Sequence, residues 1–320
     1  MKAFTKLALA AGLGALLSTT AMADGMVVGF SQIGSESGWR AAETSVTKQE
    51  AEARGIDLKF ADAQQKQENQ IKALRGFIAQ GVDAILVAPV VATGWDEVLG
   101  EAKDAGIPVV LLDRGIDSSP DLYLTSVASD QVHEGTVAAQ WLVGAVGDKP
   151  CNIVELEGTV GSSPAINRKK GFDEEIAKHA NFTISRSQTG EFTRSKGKEV
   201  MEGFIKAEDG GKTICAVYAH NDDMMVGAIQ AMKDAGLKPG TDILTVSIDA
   251  VPDIFSAMAA GDANATVELT PNMAGPAFDA LAAFKADGTE PAKAIITESK
   301  LYTQADDPAG EAERRKSLGY

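Results

Sequence analysis

The residues best suited to chemistry gather at the ends of short apolar runs. The run VVGFS (27–31) is followed by Gln32-Ile33-Gly34-Ser35-Glu36-Ser37-Gly38-Trp39-Arg40. This puts hydroxyls, a carboxylate, an indole and a guanidinium into one loop and the first turn of the helix after it. LLDR ends on Asp113 and Arg114, Asn221-Asp222-Asp223 follows AVYAH, and Asp249 closes ILTVSID. Arg168 stands one or two turns into the helical stretch after CNIVELEG. Taken singly, each is as readily a helix cap, a core residue or a surface ion pair: Ser37 has the type and place of an N-cap, and Trp39 that of a core aromatic. Together they match a polyhydroxylated ligand. A sugar hydroxyl both donates and accepts, so Asp accepts from it, Arg or Asn donates to it, and an indole lies against the apolar face of the ring. An anionic ligand would require an excess of unpaired Arg or Lys, whereas Glu36, Asp113 and Asp249 are balanced by Arg40, Arg114 and Arg168. A neutral sugar is expected, with no cofactor and no metal.

Positioning these residues is the task of a repeated α/β pattern. VVGFS, LKFADA (58–63), AILVAP (84–89) and VVLLDR (109–114) are near-continuously apolar and alternate with stretches of helical period, the pattern of a parallel sheet covered on both faces. Ligands of such sheets bind beyond the carboxyl ends of the strands, where the candidates lie. The succession restarts with CNIVELEG (151–158), FTISRSQ (182–188), ICAVYAHND (214–222) and ILTVSIDA (243–250). EAKDAGIPVVLLDR (101–114) echoes AMKDAGLKPGTDILTVSIDA (231–250), although such helix-turn-strand punctuation also recurs by chance. The economical reading is two doubly wound parallel-sheet lobes joined by three crossings. Crossings are expected near Ser126 to Asp130 and near Thr266 to Thr270, with the helix 271–288 in the first lobe and AIITESKLY (294–302) returning to the second. The expected division is 24–127 plus 268–290 for the N-terminal lobe and 128–267 plus 291–320 for the C-terminal lobe.

Residues 1–23 read as an export signal: Lys2 and Lys6 precede or border an apolar run, Leu7 to Leu17, followed by Ala21-Met22-Ala23. The run is too short to cross a membrane. Removing the signal makes the formal charge of −15 two units more negative, which disfavours nucleic acid and anionic membranes as partners. Two cysteines and three histidines are too few for a zinc site or a disulfide scaffold. In a lobe of strand order 2-1-3-4, however, Cys151 and Cys215 begin neighbouring strands in an oxidising compartment, and a disulfide between them is predicted, two buried thiols being the alternative. Enzyme signatures are weak. There is no G-x-S-x-G elbow and no G-x-G-x-x-G at the first strand, Gly210-Gly211-Lys212-Thr213 lacks the first glycine of a P-loop, and His220 has no nucleophile beside it. Asp113 and Asp249 could mimic a glycosidase pair, yet each serves as well as a hydroxyl acceptor.

The segments GFSQIGSESGWRAAET (29–44), DAQQKQENQIKA (62–73), APVVATGW (88–95), LLDR (111–114), INRKKGF (166–172), FTRSKGKEVM (192–201), YAHNDDM (218–224) and ELTPNMAGPAFDAL (268–281) resemble the type I periplasmic sugar-binding proteins of ABC importers. The chain is similar to ribose-binding proteins, and more so to their galactofuranose-binding members. The resemblance implies the type I periplasmic binding protein fold, a hinge that closes on a monosaccharide, delivery to a membrane permease from the periplasm, and a monomer. It also implies sugar contacts from Ser35, Glu36, Trp39, Arg40, Asp113 and Arg114 on one lobe and Arg168, Asn221 and Asp249 on the other, with Glu268 at the crossing beneath. Ala250 departs from the family's glycine after the binding Asp. A ligand-sensing domain of a LacI-type regulator shares the fold but needs a DNA-reading helix where this chain has an export signal, and a periplasmic sugar-processing enzyme would consume its sugar. Asp249→Ala and Arg40→Ala are both expected to weaken sugar binding with thermal unfolding of the sugar-free protein nearly unchanged.

Overall fold

A computed structural model describes residues 25–319; the signal assigned to residues 1–23 lies outside them. The first sheet contains β1 (Val27–Gln32), β2 (Asp57–Asp62), β3 (Ala84–Val87), β4 (Val109–Leu112), β5 (Thr125–Ser129) and β11 (Ala294–Thr297), in the order β11-β5-β4-β3-β1-β2 and parallel throughout. The second contains β6 (Cys151–Glu157), β7 (Phe182–Thr189), β8 (Ala216–Ala219), β9 (Leu244–Asp249), β10 (Ala265–Glu268) and β12 (Leu301–Thr303), in the order β12-β10-β9-β8-β6-β7. Only the edge strand β12 runs antiparallel there. The two orders superpose strand for strand, so the repeated sequence pattern is a repeated topology. The inner strands β3, β4 and β8 are buried at every position, as their continuous apolar runs require.

The helices of the first lobe are α1 (Gly38–Ala53), α2 (Gln67–Gln80), α3 (Asp96–Asp104) and α9 (Ala274–Asp287); those of the second are α4 (Gln131–Val146), α5 (Ser163–Ile176), α6 (Arg194–Ala207), α7 (Asp222–Asp234), α8 (Pro252–Ala259) and α10 (Pro308–Ser317). The chain passes between the sheets after β5, after β10 and between β11 and β12. The run 294–302 therefore does not return whole to the second lobe. Ala294–Thr297 pairs in parallel with Ser126–Ser129 and extends the first sheet, and the crossing falls at 298–300. Ala128 and Ser129 stay with the first sheet in that pairing, and Glu268 pairs with Asp249 in the second. The first two crossings, after Ser129 and after Glu268, thus fall within the windows expected for them, while the lobe bounds move from 127, 267 and 290 to where ladder pairing ends, at 129, 268 and 297.

Cys151 and Cys215 form a disulfide with Cα atoms 5.1 Å apart, which follows from β6 and β8 being neighbours. One close approach matters for the site. A Cβ on Gly135 of α4 would collide with the carbonyl oxygen of Arg168 on α5, and one on Gly171 of α5 with that of Val132 on α4. The two helices therefore touch backbone to backbone, and this contact fixes the turn that carries Arg168.

Candidate functional site

The carboxyl ends of the two sheets face one another across a cleft of about 270 Å³ lined by Glu36, Ser37, Trp39, Arg40, Asp113, Arg114, Pro164, Arg168, Phe192, Asn221, Asp249 and Leu269. Eight of the ten residues expected to form a site line it. Ser35 is exposed at the rim, and Glu268 turns away to bond Arg315 Nη2 of α10 at 2.6 Å.

From the first lobe, Ser37 caps α1 by accepting from the Arg40 backbone N–H (3.1 Å), so the cap and the site are the same turn. Trp39 is buried and donates its indole N–H to the Leu269 carbonyl in the second crossing (2.7 Å), which ties α1 to the hinge and leaves the ring toward the cleft. Arg40 is held on three sides: Nη2 donates to Asp113 Oδ2 (2.5 Å), Nε to Glu36 Oε1 (3.3 Å), and Nη1 to Glu43 Oε2 one turn on. Burial works against its charge, but Glu43, Asp113 and Glu36 together outweigh burial and raise its pKa. Arg114 donates Nη1 to the Val90 carbonyl (3.0 Å) and lies 5.2 Å over the ring of Phe192 from the other lobe. Burial, with the charge of Arg40 beside it, pushes its pKa down to about 10.

The second lobe supplies Arg168, whose Nε donates to Glu134 Oε2 (2.8 Å) and Nη1 to the His220 carbonyl (2.6 Å), while Nη2 stands 3.7 Å from Asp249 Oδ1. Glu134, Asp249 and Asp113 overcome burial and raise its pKa. Burial raises the Asp249 carboxyl well above the ordinary range; Arg168 opposes the shift, and Asp222 and Asp223 add to it. Asn221 caps α7 through the Met224 N–H (3.0 Å) and donates Nδ2 to the Phe192 carbonyl (3.1 Å). His220 is the satisfied core histidine that the sequence suggested: Gly158 N–H donates to Nδ1 (3.2 Å), and Nε2 meets Glu155 Oε1 (3.0 Å).

Both strand-end aspartates are bent. Asp113 has φ of 62°, and Asp249 and its neighbour Ala250 have φ of 125° and 62°, conformations costly for side-chain-bearing residues. The bends turn both carboxylates off their strands. Four polar atoms in the lining are buried without a hydrogen-bond partner: Glu36 Oε2, Asp113 Oδ1, Arg114 Nε and Arg168 Nη2. They are two acceptors and two donors, and they come from both lobes.

Sequence reasoning missed Phe192, Pro164 and Leu269 in the lining, and Glu43 and Glu134 behind the arginines. Phe192 left one signal, an aromatic residue in the otherwise polar turn between β7 and α6. It is buried there with φ of 61°.

The sequence matches a model described as a periplasmic binding protein domain over residues 28–290. It is 64% identical to the galactofuranose-binding protein YtfQ of Escherichia coli K12 over 98% of this chain and 99% of that protein. The fold is similar to the crystal structure of a galactofuranose binding protein, with TM-score 0.91 and 66% identity over 92% of this chain and 100% of that one. It is also similar to the periplasmic binding protein component of the arabinose ABC transporter from Shewanella sp. ANA-3 bound to α- and β-L-arabinofuranose, with TM-score 0.89 and 58% identity over 92% and 96% of the two chains. Two repeated α/β lobes, a polar cleft at their strand ends and this similarity over nearly its full length place the chain in the periplasmic binding protein family.

Proposed function

We propose that this chain captures a monosaccharide in furanose form, galactofuranose or a related pentose or hexose, between its lobes and delivers it to the membrane permease of an ABC importer. The observation that carries the reading is the set of four unpartnered buried atoms, two acceptors and two donors, in a lining whose three carboxylates balance its three guanidiniums. Sugar hydroxyls donate to Glu36 Oε2 and Asp113 Oδ1 and accept from Arg114 Nε and Arg168 Nη2. Asp249, with Arg168 too distant for a hydrogen bond, accepts a further hydroxyl. Arg40 and Asn221 complete the polar contacts, and Trp39 and Phe192 lie against the C–H surface of the ring. Ser35 and Glu268 are not assigned contacts.

Because the contacts come from both lobes, the sugar binds the closed arrangement better than the open one and shifts the population toward it. Glu36 and Asp113 are held by Arg40, and all three carboxylates serve as acceptors, so the chain carries its sugar unchanged. Residues 1–23 direct export, and the mature chain works as a monomer in the periplasm, where the disulfide forms. The relatives named for galactofuranose and arabinofuranose favour the five-membered ring.

The test is a calorimetric screen of ligand-stripped protein against D-galactose, L-arabinose, D-ribose, amino acids and nucleosides. One-to-one saturable heat is expected with a sugar that populates a furanose form. Heat with amino acids or nucleosides and none with any sugar would overturn the substrate class.

A further inference from the structure

Of the Asn221-Asp222-Asp223 run, Asn221 alone lines the cleft, and Asp223 reaches the other lobe instead. It is the second residue of α7 and is buried. Its Oδ2 accepts the backbone N–H of Gly38, the first residue of α1, at 2.7 Å, a bond from one lobe to the other. Its Oδ1 accepts from Arg194 Nε (3.2 Å) and Nη2 (2.9 Å) within its own lobe, and Arg194 is anchored in turn to Asp253 (2.8 Å). A Cβ on Gly227 of α7, one turn after Asp223, would collide with the Arg194 carbonyl of α6, so the two helices meet at backbone contact and Arg194 is fixed opposite the carboxylate. Asp223 is thus set rigidly in the second lobe with one oxygen left for the first. The N–H it meets has no partner inside its own helix, and the positive end of α1 favours a carboxylate there. A side chain at position 38 would begin 3.3 Å from Oδ2, so a small residue suits the approach.

We propose that Asp223 is a closure latch, a positioning residue that stabilises the closed arrangement and holds the first turn of α1, with Trp39 and Arg40, over the sugar without touching it. The proposal rests on the reading that the lobes close on a sugar. The bond joins the two lobes and includes no sugar atom, so it contributes equally to every ligand. It therefore sets affinity and leaves selectivity alone.

The test is calorimetric titration of the full mature chain with L-arabinose and with D-galactose, for wild type, Asp223→Ala, Asp223→Asn and the Asp223→Ala/Gly38→Pro double variant. Proline suits the first position of a helix and lacks the N–H, but its ring would crowd Asp223 Oδ2, so Gly38→Pro is read in the Asp223→Ala background, where the carboxylate is gone. Thermal unfolding of each sugar-free variant checks folding. Single-molecule energy transfer between dyes on one exposed position of each lobe reads the closed fraction. Asp223→Ala should weaken both sugars by the same factor, about tenfold for a charge-assisted bond. Asp223→Asn, which keeps an acceptor, should lose less, and the double variant should lose no more than Asp223→Ala alone. Unchanged affinity in Asp223→Ala, a double variant weaker than Asp223→Ala, or losses that differ between the two sugars would overturn the latch. If wild type binds no sugar, the proposed function fails, and the latch is read from energy transfer alone: a lower closed fraction in Asp223→Ala supports it, and an unchanged fraction overturns it.

Discussion

The two halves of the cleft are built from the same parts and are finished differently. Each lobe offers an arginine from the helix after its first strand and an aspartate at the end of its fourth. In the first lobe the pair is closed: Arg40 reaches Asp113 at 2.5 Å and is bonded to Glu36 and Glu43 as well. In the second it is open, with Arg168 anchored to Glu134 and the His220 carbonyl and only 3.7 Å from Asp249. A carboxylate paired to a buried arginine supports the fold even when one of its oxygens is left free, whereas one that stands short of its arginine contributes little to the fold. The first half thus holds its arginine in a network of three carboxylates while leaving Glu36 Oε2, Asp113 Oδ1 and Arg114 Nε unpartnered, and the second leaves its arginine and aspartate as an open pair.

The largest effect should separate Arg40 from Asp249, which the sequence treats alike. Arg40→Ala leaves Glu43 and Asp113 buried without their cation and should cost about 3–5 kcal/mol of stability in the sugar-free protein, besides abolishing binding. Asp249→Ala should abolish binding with thermal unfolding unchanged or raised. Equal unfolding temperatures for the two variants would remove the distinction between the halves.

The lobes differ next in their staple. Cys151→Ser with Cys215→Ser removes a bond closing a separation of 64 residues and should destabilise the chain by about 4 kcal/mol on the chain-entropy account. Hydrogen exchange should show lost protection in β6 and β8, with β1 and β3 unaffected; uniform loss would mean that the lobes do not open separately.

A third difference is one of pH. Asp222, which accepts from Ser247, Thr266 and the Val251 N–H in the second lobe, is pushed up by burial to about 7. Its ordinary value is about 3.9, so between these the folded protein holds a proton that the unfolded chain has lost, and the stability from this group falls as pH rises. Urea unfolding of the sugar-free protein should show this decline between about pH 4 and 7, together with contributions of the same sign from the buried Glu43, Glu134 and Asp249, and Asp222→Asn should lessen it. A slope unaffected by the variant would contradict the assignment. The smallest effect should come from Ala250→Gly. Releasing φ of 62° from a side chain should raise stability by about 1 kcal/mol, read as a higher unfolding temperature.

The apolar runs spelled out four strands of each sheet, most sharply the inner β3, β4 and β8, because strands buried on two faces leave no polar positions to blur them, whereas β5 and β10 read only as crossings. The strand-end rule then located eight of the lining residues, since their place follows from topology alone. What stayed illegible depends on tertiary contact. Glu134 meets Arg168 only because α4 and α5 touch at Gly135 and Gly171, and Phe192 faces Arg114 only when the lobes meet. The run AIITESKLY reads as one unit because both its halves are β-formers. Its division between two sheets is set by pairing partners distant in the chain.

The most direct test of this comparison is calorimetric titration of wild type and Asp249→Ala with the sugar that gives the strongest heat, each checked for unaltered unfolding when sugar-free. The account predicts one site per chain in the wild type and no saturable heat in the variant at the same unfolding temperature or above it. Saturation of both proteins at the same sugar concentration would contradict it.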